Sequence, residues 1–221
     1  GFIMRFIKPN TRTPSIDYLV HTWQKAINPG LMIRFTGAQY GTDPELQPRP
    51  DEVRDMFSRG QIVSKLWVLD RVAPFYQQPT ILIVGSWFGL LGAMIKEVMP
   101  HAFVTMLDID PRCKTFADAM NYQVDNLDAV TGDMYDFDYS GYDIVINTSS
   151  EHIADIPAWV SMLEKGTTVI LQNNDAHDID GHINCVNSRD ELSEKSSLTE
   201  IEYLGNLDLG IYRRFMVIGA V

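Results

Sequence analysis

The run Leu82-Ile83-Val84-Gly85-Ser86-Trp87-Phe88-Gly89-Leu90-Leu91-Gly92 constrains this chain more than any other part of it. Ile81 to Val84 read as a short buried strand, Gly85 to Gly89 as a turn, and Leu90 to Met99 as a helix stopped by Pro100. A strand, turn and helix in that order aim backbone N–H groups and a helix N-terminus at whatever lies above the turn. A phosphate or a charged amino acid can rest there. Downstream, Met106-Leu107-Asp108-Ile109-Asp110-Pro111 reads as a second buried strand ending in acid. A carboxylate at that tip can accept both hydroxyls of a ribose. Taken singly, Gly85 and Gly89 are compatible with ordinary turn glycines, and Asp108 and Asp110 with helix caps. Their order and spacing together predict a nucleoside-containing ligand above a parallel sheet.

The rest of the chain supplies such a sheet. Phe103 to Leu107 is the second strand, and Cys113, Phe116, Ala117 and Met120 give the helical spacing i, i+3, i+4, i+7 after Pro111. Leu127 to Val130 and Tyr142 to Ile146 read as strands three and four, and Thr167 to Leu171 as strand five. Asp155 and Pro157 open a helix that Gly166 ends. Strands alternating with helices predict parallel pairing with right-handed crossovers. After a brief helix at Asp190 to Lys195, Ser197 to Leu204 and Arg213 to Val221 have no helix between them and should pair as an antiparallel hairpin. Toward the other end, a helix from Ser15 or Asp17 through Ala26 is expected to stop at Pro29-Gly30. Gly37 to Pro50 reads as a loop, and a helix from Pro50 with an apolar stripe from Val53 to Trp67 should end near Pro74.

Composition narrows the partners. Eighteen basic residues against 29 acidic ones leave a formal charge of −11 over 221 residues, which argues against general attraction to nucleic acid. The two cysteines, Cys113 and Cys185, show no metal-ligand spacing and suit a reduced, cytoplasmic setting. No apolar run approaches the roughly 20 residues that span a bilayer. Gly1 to Pro9 is too short for a signal peptide.

The layout resembles the class I S-adenosylmethionine-dependent methyltransferase family over roughly residues 50–221. The resemblance implies an α/β Rossmann-like three-layer sandwich, with a seven-stranded, mostly parallel sheet and an antiparallel C-terminal hairpin. It divides the chain into an extension, 1–79, that covers the site and a cofactor-binding domain, 80–221. It further implies S-adenosylmethionine as cofactor, held by Gly85, Ser86, Trp87 and Gly89 of the first motif. Asp108 would hold the ribose and Ile109 the adenine face. Asp133 and Met134, in Thr131-Gly132-Asp133-Met134, would hold the adenine amino group and ring. Two departures stand out: Trp87 replaces a usual glycine, and Ile83 replaces a frequent acid. The nicotinamide pattern G-x-G-x-x-G does not fit, because Gly85, Gly89 and Gly92 have other spacing.

After strand four comes Asn147-Thr148-Ser149-Ser150-Glu151-His152. The prolines and aromatic of amino-group DNA methyltransferases are missing there. Methyl transfer needs alignment, and a base where the acceptor carries a proton. Glu151 or His152 is the candidate base and Asn147 the candidate orienting group; a capped helix start is the alternative. After strand five, Gln172-Asn173-Asn174-Asp175-Ala176-His177-Asp178, with Asp180 and His182, could ligate a divalent ion. Metal-dependent O-methyltransferases want an Asp where Asn147 stands and the reverse of Asn174-Asp175, so no metal is assigned. A polar, substrate-facing loop with Asn173 and His177 donating hydrogen bonds is expected instead. Arg213-Arg214 reads as a solvated strand-edge pair. The expected activity is methyl transfer to a small molecule, with no membrane partner. A non-catalytic binding module, or transfer of another group from the same cofactor, remains open.

Overall fold

The computed structural model describes residues 8–72 and 78–221, so the helix end expected near Pro74 lies outside the described residues. Seven strands, β1 (Thr80–Val84), β2 (Phe103–Asp108), β3 (Leu127–Thr131), β4 (Ile144–Asn147), β5 (Thr168–Asn174), β6 (Thr199–Asp208) and β7 (Arg213–Ala220), form one sheet in the order β3-β2-β1-β4-β5-β7-β6. β1 pairs in parallel with β2 and β4, and β2 with β3. β7 runs antiparallel to both β5 and β6. This is the predominantly parallel sheet with a reversed C-terminal hairpin that the sequence predicts. The chain leaves β1 on one side for β2 and β3 and returns on the other for β4. Between β1 and β4 the strand order therefore reverses, and in open α/β sheets ligands bind outside the carboxyl ends at such a point.

Two compact units divide the chain: Pro14–Thr148, and Gly1–Thr13 joined to Ser149–Val221. In the first, α1 (Ile16–Thr22), α2 (Asn28–Gly41), α3 (Pro50–Met56), α4 (Arg59–Val72), α5 (Leu90–Val98) and α6 (Pro111–Met120) surround the parallel strands. β1 is buried from Ile81 to Val84, as a strand covered on both faces must be. Gly92 explains how closely α5 sits on β2. A Cβ there would land on the Met106 sulfur and press on Leu127.

The N-terminal helices depart from expectation. Pro29-Gly30 does not end a helix. A π-helical turn, Trp23–Ile27, lets the Asn28 N–H donate to the Trp23 carbonyl, and α2 restarts with Pro29 in its first turn. A proline N–H is not missed there. α2 then continues through Gly37 to Gly41, so the expected loop shrinks to the segment before Pro50. Leu31, Phe35 and Ala38 form a buried stripe, and the Phe35 ring lies 5.3 Å from Phe116 of α6 and 4.9 Å from Phe57. Each buried Leu or Phe contributes roughly 1.5–3 kcal/mol, which outweighs about 1 kcal/mol lost per helical glycine. The helix from Pro50 is two helices, α3 and α4, broken at Phe57-Ser58.

In the second unit, α8 (Arg189–Ser196) packs on β6 and β7, and α7 (Ile156–Val160) packs on α8. Residues 8–13 run beside β6. Asn10 bridges to Tyr203, its N–H donates to the Glu202 carbonyl at 2.8 Å, and the Tyr203 hydroxyl donates to the Arg12 carbonyl at 2.9 Å. An otherwise open strand edge is covered by this segment. Arg214 is 3% exposed on β7, an interior strand, so the expected solvated basic pair does not form.

Candidate functional site

Within Pro14–Thr148, the parallel register of β1 on β2 ends at Val84 opposite Leu107. One step further it brings Gly85 beside Asp108. The backbone then locks the two together. The Ser86 N–H donates to the Leu107 carbonyl at 3.0 Å, and the Trp87 N–H donates to Asp108 Oδ2 at 2.8 Å. The Asp110 N–H donates to Asp108 Oδ1 at 3.0 Å. Gly85 has φ +69°, with open space where a Cβ would stand. Gly89, at φ +90°, caps α5, and a Cβ there would press on Ala117 and Met106.

Gly132 donates its N–H to the Asp108 carbonyl at 3.0 Å, which ties the third motif to the second. Asp133 is exposed and accepts from the Tyr135 N–H at 2.9 Å, capping a short 3-10 turn that begins at Met134. Ile109 is 69% exposed beside Asp108. Asn147, 3% exposed, is the last residue of β4.

This geometry fits an adenosine. A carboxylate offers about four lone-pair sites. Asp108 accepts one backbone N–H on each oxygen and bonds the Cys113 thiol, which leaves a lone pair for the ribose. The space in front of Gly85 and the exposed apolar face of Ile109 lie at the same strand ends. The cleft of about 280 Å³ lined by Arg34, Lys96, Pro100 and Asp125 lies toward the amino ends of β2 and β3, away from these residues.

Beneath the cradle is a charge network that motif reading misses. Arg112, in the first turn of α6, makes two 3.1 Å bonds to the Glu52 carboxylate and bonds of 2.9 and 3.1 Å to Asp110. Its guanidinium also lies 5.4 Å from the Phe88 ring centre. Burial works against the charged forms of Glu52 and Asp110. The hydrogen bonds and charge of Arg112, helped by Arg49, outweigh it and hold both carboxyls below their usual range. The same bonds raise the Arg112 guanidinium. A legible signal was Glu52 two residues after Pro50, where a helix-start carboxylate accepts a backbone N–H.

In the unit built on Ser149–Val221, Glu151 and His152 occupy a 3-10 turn, Ser150–His152. Ser150, fully buried, donates to the Gln172 carbonyl at 2.7 Å. Asn173 is also fully buried, and its amide donates to Ser150 Oγ and the Asn184 carbonyl. Asn173 therefore does not face a substrate. It fastens the loop after β5 to the turn carrying Glu151. His177 is tied through Nε2 to Asn187 at 2.7 Å, and Asp175 pairs with Arg213 at 2.8 Å. The sequence groups His182 with these loop residues; the fold instead sets its Nε2 4.0 Å from the Glu151 carboxylate. His152 Nε2 lies 3.8 Å from the same oxygen.

No protein-family model matches this sequence, and no curated protein matches it. Solved structures do. The CurJ carbon methyltransferase superposes with a TM-score of 0.60 over 93% of this chain and 70% of that one, at 13% identity. The mitomycin 7-O-methyltransferase MmcR gives 0.54 over 94% and 74%, at 18% identity. The S-adenosylmethionine-dependent methyltransferase SibL, in its apo form, gives 0.52 over 91% and 72%, at 13% identity. At these identities the common property is the fold. This chain has the Rossmann-like fold of S-adenosylmethionine-dependent methyltransferases, as the motif order predicts.

Proposed function

We propose that this chain binds S-adenosylmethionine and transfers its methyl group to a small-molecule acceptor. The supporting observation is Asp108: its carboxylate is held in place by two backbone N–H groups and the Cys113 thiol and keeps acceptor capacity for the ribose. Shared fold with structures described as methyltransferases adds to it. In this reading Asp108 takes the ribose hydroxyls, Ile109 and Met134 flank the adenine, and Asp133 accepts from its amino group. The turn Gly85-Ser86-Trp87, with Gly89 at the helix start, receives the amino-acid end. The cofactor, when bound, supplies an electrophilic methyl on a sulfonium.

The chain's own groups do the rest. Asn147, at the end of β4, orients the acceptor. His152 accepts its proton at Nε2, because Nδ1 lies 2.6 Å from the Gly181 carbonyl and is the donor there. The Glu151 carboxylate, 3.8 Å from that nitrogen, stabilises the imidazolium that forms. Within the extension, residues 14–72 supply the acceptor-side cover, and the setting is the cytoplasm, in keeping with the free, buried Cys113 and Cys185. Among the described residues no helix is long and apolar enough to cross a membrane.

Calorimetry tests this. Both S-adenosylmethionine and S-adenosylhomocysteine should give heat with the wild type. Asp108→Asn should weaken both by about 10- to 100-fold, the equivalent of losing charge-assisted bonds of roughly 1.5–3 kcal/mol. No heat with either at millimolar ligand rejects the proposal.

A further inference from the structure

We propose that Glu151, His152 and His182 form a binding site for a divalent transition-metal ion, with Zn²⁺ the ion of choice. The site lies wholly within the unit Ser149–Val221. One ligand atom from each of the three residues lies within 4.8 Å of the others. The Glu151 Oε1 to imidazole Nε2 distances are 3.8 Å for His152 and 4.0 Å for His182. The imidazoles meet edge to face, with centres 4.9 Å apart.

The orientation of the rings is the decisive observation. His152 Nδ1 is 2.6 Å from the Gly181 carbonyl, and His182 Nδ1 is 2.8 Å from the Ala176 carbonyl. A carbonyl oxygen only accepts, so each Nδ1 carries a hydrogen, and it is Nε2 of each ring that faces Glu151, the nitrogen whose lone pair a metal ion would take. Metal-ligating histidines are set in this way, one ring nitrogen on a backbone carbonyl and the other on the ion. The distances are too long for hydrogen bonds between Nε2 and the carboxylate. Three electron-rich atoms thus converge within 4.8 Å of one another, an arrangement that a cation stabilises. Glu151 adds a second indication: it is 3% exposed, and its Oε2 is buried without a hydrogen-bond partner among the described residues.

The set matches the ion. Two imidazoles and one carboxylate form the ligand set of open zinc sites, which keep a fourth position for water or substrate. Ligand atoms around a tetrahedral Zn²⁺ stand roughly 3.3 Å apart. The two carboxylate–imidazole gaps, 3.8 and 4.0 Å, close by about 0.5 to 0.7 Å, and the imidazole pair, within 4.8 Å, by at most about 1.5 Å of side-chain movement. His152, with a side chain 48% exposed, leaves a solvent path to the fourth position. The support is rigid. The Glu151 carbonyl accepts the N–H groups of Ile183 and Asn184, which fixes His182 to the turn. Gly181 has φ +82°, and a Cβ on it would stand 3.4 Å from the His152 ring. Neither reading requires the other. With the ion bound, Glu151 and His152 are ligands; the proton-accepting role assigned to His152 belongs to the metal-free protein.

The full chain, stripped with a chelator and titrated with ZnCl₂, should take up one equivalent and melt at a higher temperature. CoCl₂ should give the visible absorption of a tetrahedral or five-coordinate nitrogen–oxygen site. His182→Ala should weaken Zn²⁺ binding by more than about 100-fold, since losing even a supporting residue costs 10- to 100-fold. His177→Gln, whose imidazole is engaged elsewhere, should bind like the wild type. Circular dichroism of each variant establishes folding, and if His182→Ala does not fold, Glu151→Gln carries the same expectation. No stoichiometric uptake by the wild type, or uptake unchanged in the ligand variants, overturns the site. Calorimetry with S-adenosylmethionine is scored separately, so failure of one proposal is distinguishable from failure of the other.

Discussion

Trp87 has φ +53°, the left-handed region where the first motif usually has glycine. For a bulky residue that conformation costs about 1–2 kcal/mol. What holds it is visible: its N–H is fixed on Asp108, and its ring lies 5.4 Å from Phe88. The backbone path of a glycine turn is thus kept with a side chain added. Gly85 offers the cleaner test. Ala at this position meets nothing within 4 Å, so Gly85→Ala should fold, at a cost of roughly 1 kcal/mol for the positive φ. Its methyl fills the space in front of the turn, so S-adenosylhomocysteine binding by calorimetry should fall by at least about tenfold. Unchanged affinity would place the cofactor elsewhere. At this scale Asp108 was legible because spacing from a glycine turn implies contact with it. His182 was not, since only the fold sets it 4.0 Å from Glu151, 31 residues earlier in the chain.

Between elements, the Glu52–Arg112–Asp110 network joins the start of α3 to the start of α6, whose preceding residues carry Asp108. Arg112→Ala leaves the largely buried Glu52 carboxylate without its main partner. We expect a loss of about 3 kcal/mol in urea unfolding. The pH dependence follows from the same bonds. Both carboxyls titrate lower in the folded than in the unfolded state, so their contribution is complete above about pH 5 and disappears as pH falls through the depressed folded values. In Arg112→Ala the acid side of the stability profile should flatten; an unaltered profile would remove the network from the account. Strands were read well from sequence because buried parallel strands are short apolar runs bounded by Gly, Asp or Pro. Helices α1 and α2 were not, because Pro29 marks a helix start as readily as a stop. The packing of Phe35 that decides between them is a tertiary contact.

For the whole molecule, the charge of −11 is the property that composition alone fixes. Self-repulsion of that size favours expansion, and salt screens it. Raising NaCl from about 0.05 to 0.3 M should lift the melting temperature by about 2 °C or more. A fall would mean that local ion pairs such as Arg112–Glu52 outweigh the net field.

Sheet order and chain order disagree at one place. β7 is synthesised after β6 yet lies inside the sheet, between β5 and β6. On the ribosome, β5 and β6 must both wait with bare edges until residues 213–220 emerge. A message broken off before that point yields a product with two sticky borders, a ready substrate for chaperones and proteases.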